Sequence, residues 1–229
     1  MIDNELQKRI LSSIILIPIT IFFIVKGSVF FIFFLSISFF VSSYEWLKMS
    51  KNFYKKIFGI IFLFLSFYLA YLLRTEQSYQ IFLLVILISI LTDIGGYIFG
   101  KLFKGPKLTK ISPKKTYSGV IGSFVLSVVG SLIFIEYFGD LKTDIFINYI
   151  FFSSVINLNL FTLFFILITS LISQLGDLIV SYFKRISKIK DTGKILPGHG
   201  GLLDRIDGII FTVPFIYLIL ESGRIIYIS

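Results

Sequence analysis

Cysteine is absent from these 229 residues and histidine occurs once. The first absence excludes a disulfide scaffold, and the two together leave no set of thiolates and imidazoles for a zinc site. A bound metal would therefore be held by oxygen, which favours a hard cation such as magnesium. Charge is scarce as well: Asp, Glu, Lys and Arg make up 15% of the chain, against about 25% in average usage. Apolar residues take the vacated share, 56% of the total, and the mean hydropathy is +0.92. That balance excludes a disordered chain and points to an all-α, polytopic integral membrane protein. Acids are the scarcer sign, 13 against 22 bases, for a net charge of +9. The bases lie in short segments between apolar runs, so they report topology and attraction to anionic lipid or phosphate. No nucleic-acid partner is expected, because there is no soluble basic face to bind it.

A helix needs about 20 residues to cross roughly 30 Å of hydrocarbon. Seven apolar stretches reach or approach that length, at 10–25, 28–43, 57–73, 78–99, 118–138, 160–183 and 206–220. The segment 145–156 is apolar but short, and reads as interfacial or re-entrant, so the expectation is about seven transmembrane helices, six to eight. Lys26-Gly27 separates the first two spans and predicts a tight helical hairpin. With the N-terminus cytoplasmic, only Lys26, Arg74, Lys142 and Arg224 of the 22 bases fall outside, which fixes an N-in, C-out orientation provided 145–156 does not cross. The N-terminus mixes Asp3 and Glu5 with Lys8 and Arg9, and no small-residue cleavage site follows. The first span is therefore expected to be retained, and a bacterial inner (plasma) membrane is the expected location.

Two cytoplasmic loops carry more than topology needs. Asp93 sits in an otherwise apolar helix, where a carboxylate costs roughly 2.5–3.5 kcal/mol unless paired or facing a wet cavity. Pairing with a basic residue of a neighbouring helix would account for it. Gly95, Gly96 and Gly100 would let a backbone or a ligand approach closely. Ser112-Pro113-Lys114-Lys115-Thr116 then offers two cations and two hydroxyls just before a helix, a natural phosphate site. A plainer account is charge lying beside anionic headgroups.

The second loop is more specific. Asp177, Ser181 and Lys184 share one helical face by their spacing of four and seven. Beyond Lys184-Arg185 comes a loop with Lys190-Asp191, Lys194, Pro197 and the glycines Gly198, Gly200 and Gly201, suited to bringing backbone N–H groups against an anion. Asp204 and Asp207 follow, three apart on one face of the next helix, flanking Arg205. Four carboxylates in so short a stretch can hold Mg²⁺, which completes its shell with substrate phosphates. The cations would neutralise the phosphate charge that shifts during transfer. A salt-bridged loop is the alternative account, with Asp207 capping a helix. His199 either hydrogen-bonds the loop shut or takes part in chemistry.

Ser181-x-x-Lys184-Arg185-x-x-x-x-Lys190-Asp191-x-Gly193, followed by Pro197-Gly198-His199-Gly200-Gly201-x-x-Asp204-Arg205-x-Asp207, resembles the signature of the phosphatidate cytidylyltransferase (CDP-diacylglycerol synthase) family. The segments Gln174-x-Gly176-Asp177-Leu178, Ser112–Thr116 and Leu6-x-x-Arg9-x-x-Ser12 also look like parts of that family. The chain departs at Asp93-Ile94-Gly95-Gly96, where members usually read Asp-Thr-Gly-Ala, and at Ser118, where they usually carry Glu.

The resemblance implies an enzyme that joins CTP to phosphatidate in the membrane, giving CDP-diacylglycerol and pyrophosphate. It implies one membrane-embedded domain over 1–229, an N-terminal helical part at 1–90 and a catalytic part at 91–229. By similarity, Asp177 and Asp204 lead the binding of Mg²⁺, alone or with a second cation, and Asp191 and Asp207 assist. Lys184, Arg185 and Lys190 would hold phosphates, and Arg205 would neutralise the leaving pyrophosphate. Ser112, Lys114, Lys115, Thr116, Ser181 and His199 would line the substrate site, where Gly198, Gly200 and Gly201 would shape the nucleotide loop. A homodimer is implied in the same way. No general base is required, because a phosphate monoester with a second pKa of about 6 is already largely dianionic at neutral pH. The competing expectations are a CTP-dependent enzyme acting on another lipid (a polyprenol or phytol kinase, a CDP-archaeol synthase) and an anionic-solute transporter. A transporter of that kind would be expected to show two repeated halves with paired broken helices, and no such repeat is found.

Overall fold

A computed structural model describes residues 4–109, 111–138, 160–196, 198 and 200–228. The seven long apolar stretches carry the helices α1 (Asn4–Lys26), α2 (Ser28–Met49), α3 (Phe53–Glu76), α4 (Tyr79–Phe103), α5 (Tyr117–Phe138), α6 (Leu160–Ile186) and, after a single turn α7 (Leu203–Ile206), α8 (Ile209–Ile228). Among the described residues the only strand-like pairings are isolated bridges, Lys107 with Thr116 and Leu196 with Gly200. Five helices, α2 to α6, are long and apolar enough to cross a membrane, and shorter apolar helices cover Ile14–Lys26 and Ile209–Gly223. The segment 145–156 and His199 lie outside the described residues.

Local chemistry sets the helix boundaries. Gly27, at φ +65°, is the whole connection between α1 and α2, which makes the hairpin anticipated at Lys26-Gly27. Arg74 closes it from α3, donating through Nε to the Ile24 carbonyl at 2.7 Å and stacking its guanidinium over the Tyr79 ring. The side chains of Asn52 and Ser78 cap α3 and α4, accepting from the amides of Tyr54 and Ile81. Thr116 does the same for α5, accepting from the Gly119 amide at 3.1 Å.

Two differences from the sequence expectation matter for the site. Helix α2 does not stop with its apolar run near Ser43 but continues to Met49, carrying Glu45 and Trp46 inward, both buried. Before the last helix the chain makes the separate turn α7, and α8 starts only at Ile209. Gly208 lies at that break, where an added Cβ would stand 2.5 Å from Ser173 Oγ.

The interior mixes large apolar side chains with small hydroxyls. Phe31, Leu73, Val85, Ile88, Ile166 and Ile216 centre the larger cluster, and Trp46, Met49, Leu63, Val180, Leu203 and Ile210 form a second one beneath the loops. Between helices, Ser66 Oγ donates to the Ile210 carbonyl, Thr92 to Ser170 and Ser123 to the Thr92 carbonyl, at 2.7–2.8 Å. Small polar residues at helix interfaces suit bundles that pack where hydrophobic burial gives little drive. Large apolar side chains such as Phe33, Phe40, Phe64, Val129 and Leu175 cover the outside, the distribution expected of a bundle solvated by lipid tails. The glycines of α4 serve helix packing: a Cβ on Gly95 would fall on the Gly122 carbonyl of α5.

Candidate active site

Three polar pieces meet at one end of the bundle: the end of α6, the turn through α7 into α8, and the strap 104–116 between α4 and α5. The α6–α8 crossing sets the centre. Gly176 leaves room for the Asp207 carbonyl, 2.9 Å from where its Cβ would be, and Gly208 leaves room for Ser173. Any larger residue would push the helices apart, so these two glycines decide how closely their neighbours Asp177 and Asp207 approach. The two carboxyl groups come within hydrogen-bonding range of each other. Burial, and next the Asp177 carboxylate, push the Asp207 carboxyl well above its usual value of 3.8, against the pull of Lys184.

Cations hold this acidic pair in place. Lys115, from the strap, reaches Asp177 Oδ2 at 2.5 Å and donates to the Gln174 carbonyl at 3.4 Å. Lys184, one turn past Ser181 and almost buried, donates to Asp204 Oδ1 at 2.9 Å and stands 3.9 Å from Asp207 Oδ2. Ser181 donates to Asp177 Oδ1 at 3.2 Å, which puts Asp177 and Ser181 on the common face inferred from their spacing. Asp93 keeps accessible surface on α4 and lies within the electrostatic reach of Asp177, Lys115 and Arg205.

Asp204 has a second task. Its Oδ2 accepts from the amides of Thr192 at 2.8 Å and Gly201 at 3.0 Å, tying both ends of the glycine-bearing loop to α7. Glycine is needed at position 200, where φ is +90°. Asp191, Lys190 and Lys194 stand exposed along this loop, and Arg185 donates to the Ile189 carbonyl at 3.2 Å. In the strap, Lys114 is exposed, whereas Ser112 and Thr116 shape the backbone. The Ser112 carbonyl accepts from the Lys115 amide, and Thr116 Oγ1 lies 3.0 Å from Ser118 Oγ. Ser118 donates to the Lys104 carbonyl. Asp177, Ser181, Lys184, Asp204, Asp207 and Lys115 are thus brought together, while Lys114, Arg185, Lys190 and Asp191 surround them at the accessible rim.

One carboxylate was not anticipated. Glu45 of α2 is 1% exposed and accepts from Thr192 Oγ1 at 3.0 Å and from the amides of Leu202 and Leu203 at 2.9 and 2.8 Å. The signal for it is faint: a lone acid just beyond an apolar run, beside the chain's single Trp.

The donor set suits a hard cation. Among the described residues no group of three or more Asp, Glu, His or Cys side chains is arranged to hold a metal by itself. Magnesium rarely uses an all-protein cage and binds through one or two carboxylates together with substrate phosphates. Two facing acids next to lysines that can meet phosphate fit that mode.

The sequence profile described as the cytidylyltransferase family matches residues 7–92 and 54–222. Three relatives bear the name phosphatidate cytidylyltransferase. That of Staphylococcus aureus (strain COL) is 38% identical over 191 residues, covering 81% of this chain and 67% of the relative. That of Rickettsia typhi (strain Wilmington) is 37% identical over 177 residues, covering 76% and 73%. That of Staphylococcus saprophyticus is 37% identical over 166 residues, 72% of this chain but 57% of the relative's length.

Proposed function

Since the chain belongs to the cytidylyltransferase family, we propose that it transfers the cytidylyl group of CTP to phosphatidate, giving CDP-diacylglycerol and pyrophosphate. The observation that carries this reading is the meeting of Asp177, Asp204 and Asp207 with Lys115 and Lys184 at one end of an apolar bundle. The names of the relatives support the two substrates.

A phosphate oxygen of phosphatidate attacks the α-phosphorus of CTP. The bond from that phosphorus to the bridging oxygen breaks, and pyrophosphate leaves with the electron pair. Asp177, Asp204 and Asp207, with Asp191 at the rim, are the residues that would hold Mg²⁺, which supplies charge neutralisation to the triphosphate. Lys184, Arg185 and Lys190 bind phosphate oxygens, and Arg205 neutralises the departing pyrophosphate. Ser112, Lys114, Lys115 and Thr116 close the site from the strap. Positioning and neutralisation supply most of the acceleration in such a transfer.

The active site faces the cytoplasm of a bacterial inner membrane. The five long helices, with α1 and α8, make seven spans, N-terminus inside and C-terminus outside. The polar ends of α2, α4 and α6 then share one face with the starts of α3, α5 and α8. One domain spans 1–229, with a helical part at 1–90 and a catalytic part at 91–229, and two copies form a homodimer.

Membranes carrying the protein, given labelled CTP, phosphatidate and Mg²⁺, are expected to form a lipid-extractable CDP product. Asp177→Asn is expected to lower that rate at least about 100-fold, the upper end of what lost metal support costs. Absence of product from folded wild-type protein would overturn the reading.

A further inference from the structure

We infer that Glu45 is a positioning residue for the CTP side of the reaction, acting through the loop it clamps; the inference rests on the function proposed above. Two carboxylates divide the same stretch of backbone between them. Asp204 takes the Thr192 amide and the Gly201 amide, and Glu45 takes the Thr192 hydroxyl and the next two amides, Leu202 and Leu203. Both ends of the loop are thereby fixed against one acid from α2 and one from α7. Displacing Glu45 displaces the partners that orient Asp204, and with them the Asp204 link to Lys184.

The fit around Glu45 is close. A Cβ on Gly193 would stand 2.7 Å from Oε1, and one on Gly201 would stand 2.6 Å from Oε2. The support behind it is rigid. Trp46, the adjacent residue, donates through Nε1 to the Lys55 carbonyl at 2.9 Å and packs edge-on against Phe183 of α6 at 5.1 Å between centroids. The part of the chain that looks like a plain membrane hairpin thus sends a side chain into the nucleotide loop.

Charge and shape are both required. Oε2 serves Thr192 and Leu203, and Oε1 serves Leu202. In a glutamine the amide nitrogen must take one of these places, and in either orientation it faces a backbone N–H that can only donate. Glu45→Gln therefore loses acceptor capacity in a buried place. Thr192→Val is the gentler probe: it removes one donor to Glu45 while keeping its own amide for Asp204. Thr192→Ser restores the hydroxyl.

Full-length protein in mixed micelles, with CTP and phosphatidate varied separately at saturating Mg²⁺, tests this. Thr192→Val and Glu45→Gln are expected to raise the CTP KM about tenfold, the scale of one hydrogen bond to a charged group. The phosphatidate KM should stay within about twofold of wild type, and Thr192→Ser should return the CTP KM towards it. Should Glu45→Gln fail to fold, Thr192→Val decides. Unchanged constants in Thr192→Val overturn the inference. So does a fall in rate that only tracks the folded fraction, with both KM values kept. A wild type that makes no CDP-lipid overturns the underlying function instead.

Discussion

At the scale of single residues, the acids of this site have unequal tasks, and the inequality is measurable. Asp207 is buried against Asp177, so the folded protein keeps its proton at pH values where an unfolded carboxyl, near 3.8, has lost it. More protons bound in the folded state means that stability falls as pH rises above that value. Asp207→Asn carries no proton to lose. In metal-free protein its thermal midpoint, read by circular dichroism, should depend less on pH than that of wild type, and should be the higher of the two at mildly alkaline pH. The same variant should lose Mg²⁺-dependent product formation, so stability and activity move in opposite directions. The common face of Asp177 and Ser181 was legible because helical spacing alone dictates it. Which lysine of the strap turns inward was not: Lys114 and Lys115 are adjacent and alike, and only the closed backbone of 104–116 sends Lys115 to Asp177.

At the scale of elements, the long helices were legible because a run of about 20 apolar residues has few alternatives, but several of their ends were not: the first begins at Asn4 rather than near 10, and the last ends at Ile228 rather than near 220. What hydropathy could not give was the polar continuation of α2. Beyond the expected end of the span at Ser43 the helix runs on to Met49, and Glu45 and Trp46 turn inward because α3, α6 and the loop offer them partners. The break before α8 was equally hidden, since it depends on Ser173 filling the space next to Gly208. That crossing carries a prediction of its own. Gly208→Val should force α6 and α8 apart at a cost of about 1–3 kcal/mol, the usual range for overpacking. It should lower activity further than that loss of stability explains, because Asp177 and Asp207 separate with the helices. A variant that melts lower but keeps wild-type kcat would count against this account of the pair.

At the scale of the whole molecule, the distribution of side chains is inverted relative to a soluble protein, with phenylalanines and isoleucines outside and hydroxyls between the helices. Such a surface has to lie in lipid, and the bundle then has two polar ends of different kinds. One holds the acid–lysine centre. The other holds the hairpin at Gly27, closed by Arg74, and a Tyr217–Glu76 hydrogen bond of 2.7 Å. The orientation can be tested directly, because the chain has no cysteine to remove. In sealed, right-side-out vesicles an impermeant maleimide should label Lys26→Cys readily and leave Lys51→Cys and Lys190→Cys unlabelled until the vesicles are opened. The reverse pattern would place the site on the other face and end the cytoplasmic assignment.

The indole of Trp46 is the one tryptophan in the chain, and it lies next to the clamp, wedged over Gly59 and against Phe183. The molecule therefore carries its own optical gauge at the point where the N-terminal hairpin meets the glycine-bearing loop. Tryptophan emission from otherwise unlabelled protein reports on one place only. Tightening of the loop on CTP should appear as a change in its intensity, and loosening of the Glu45 clamp as a shift to longer wavelength as water reaches the ring.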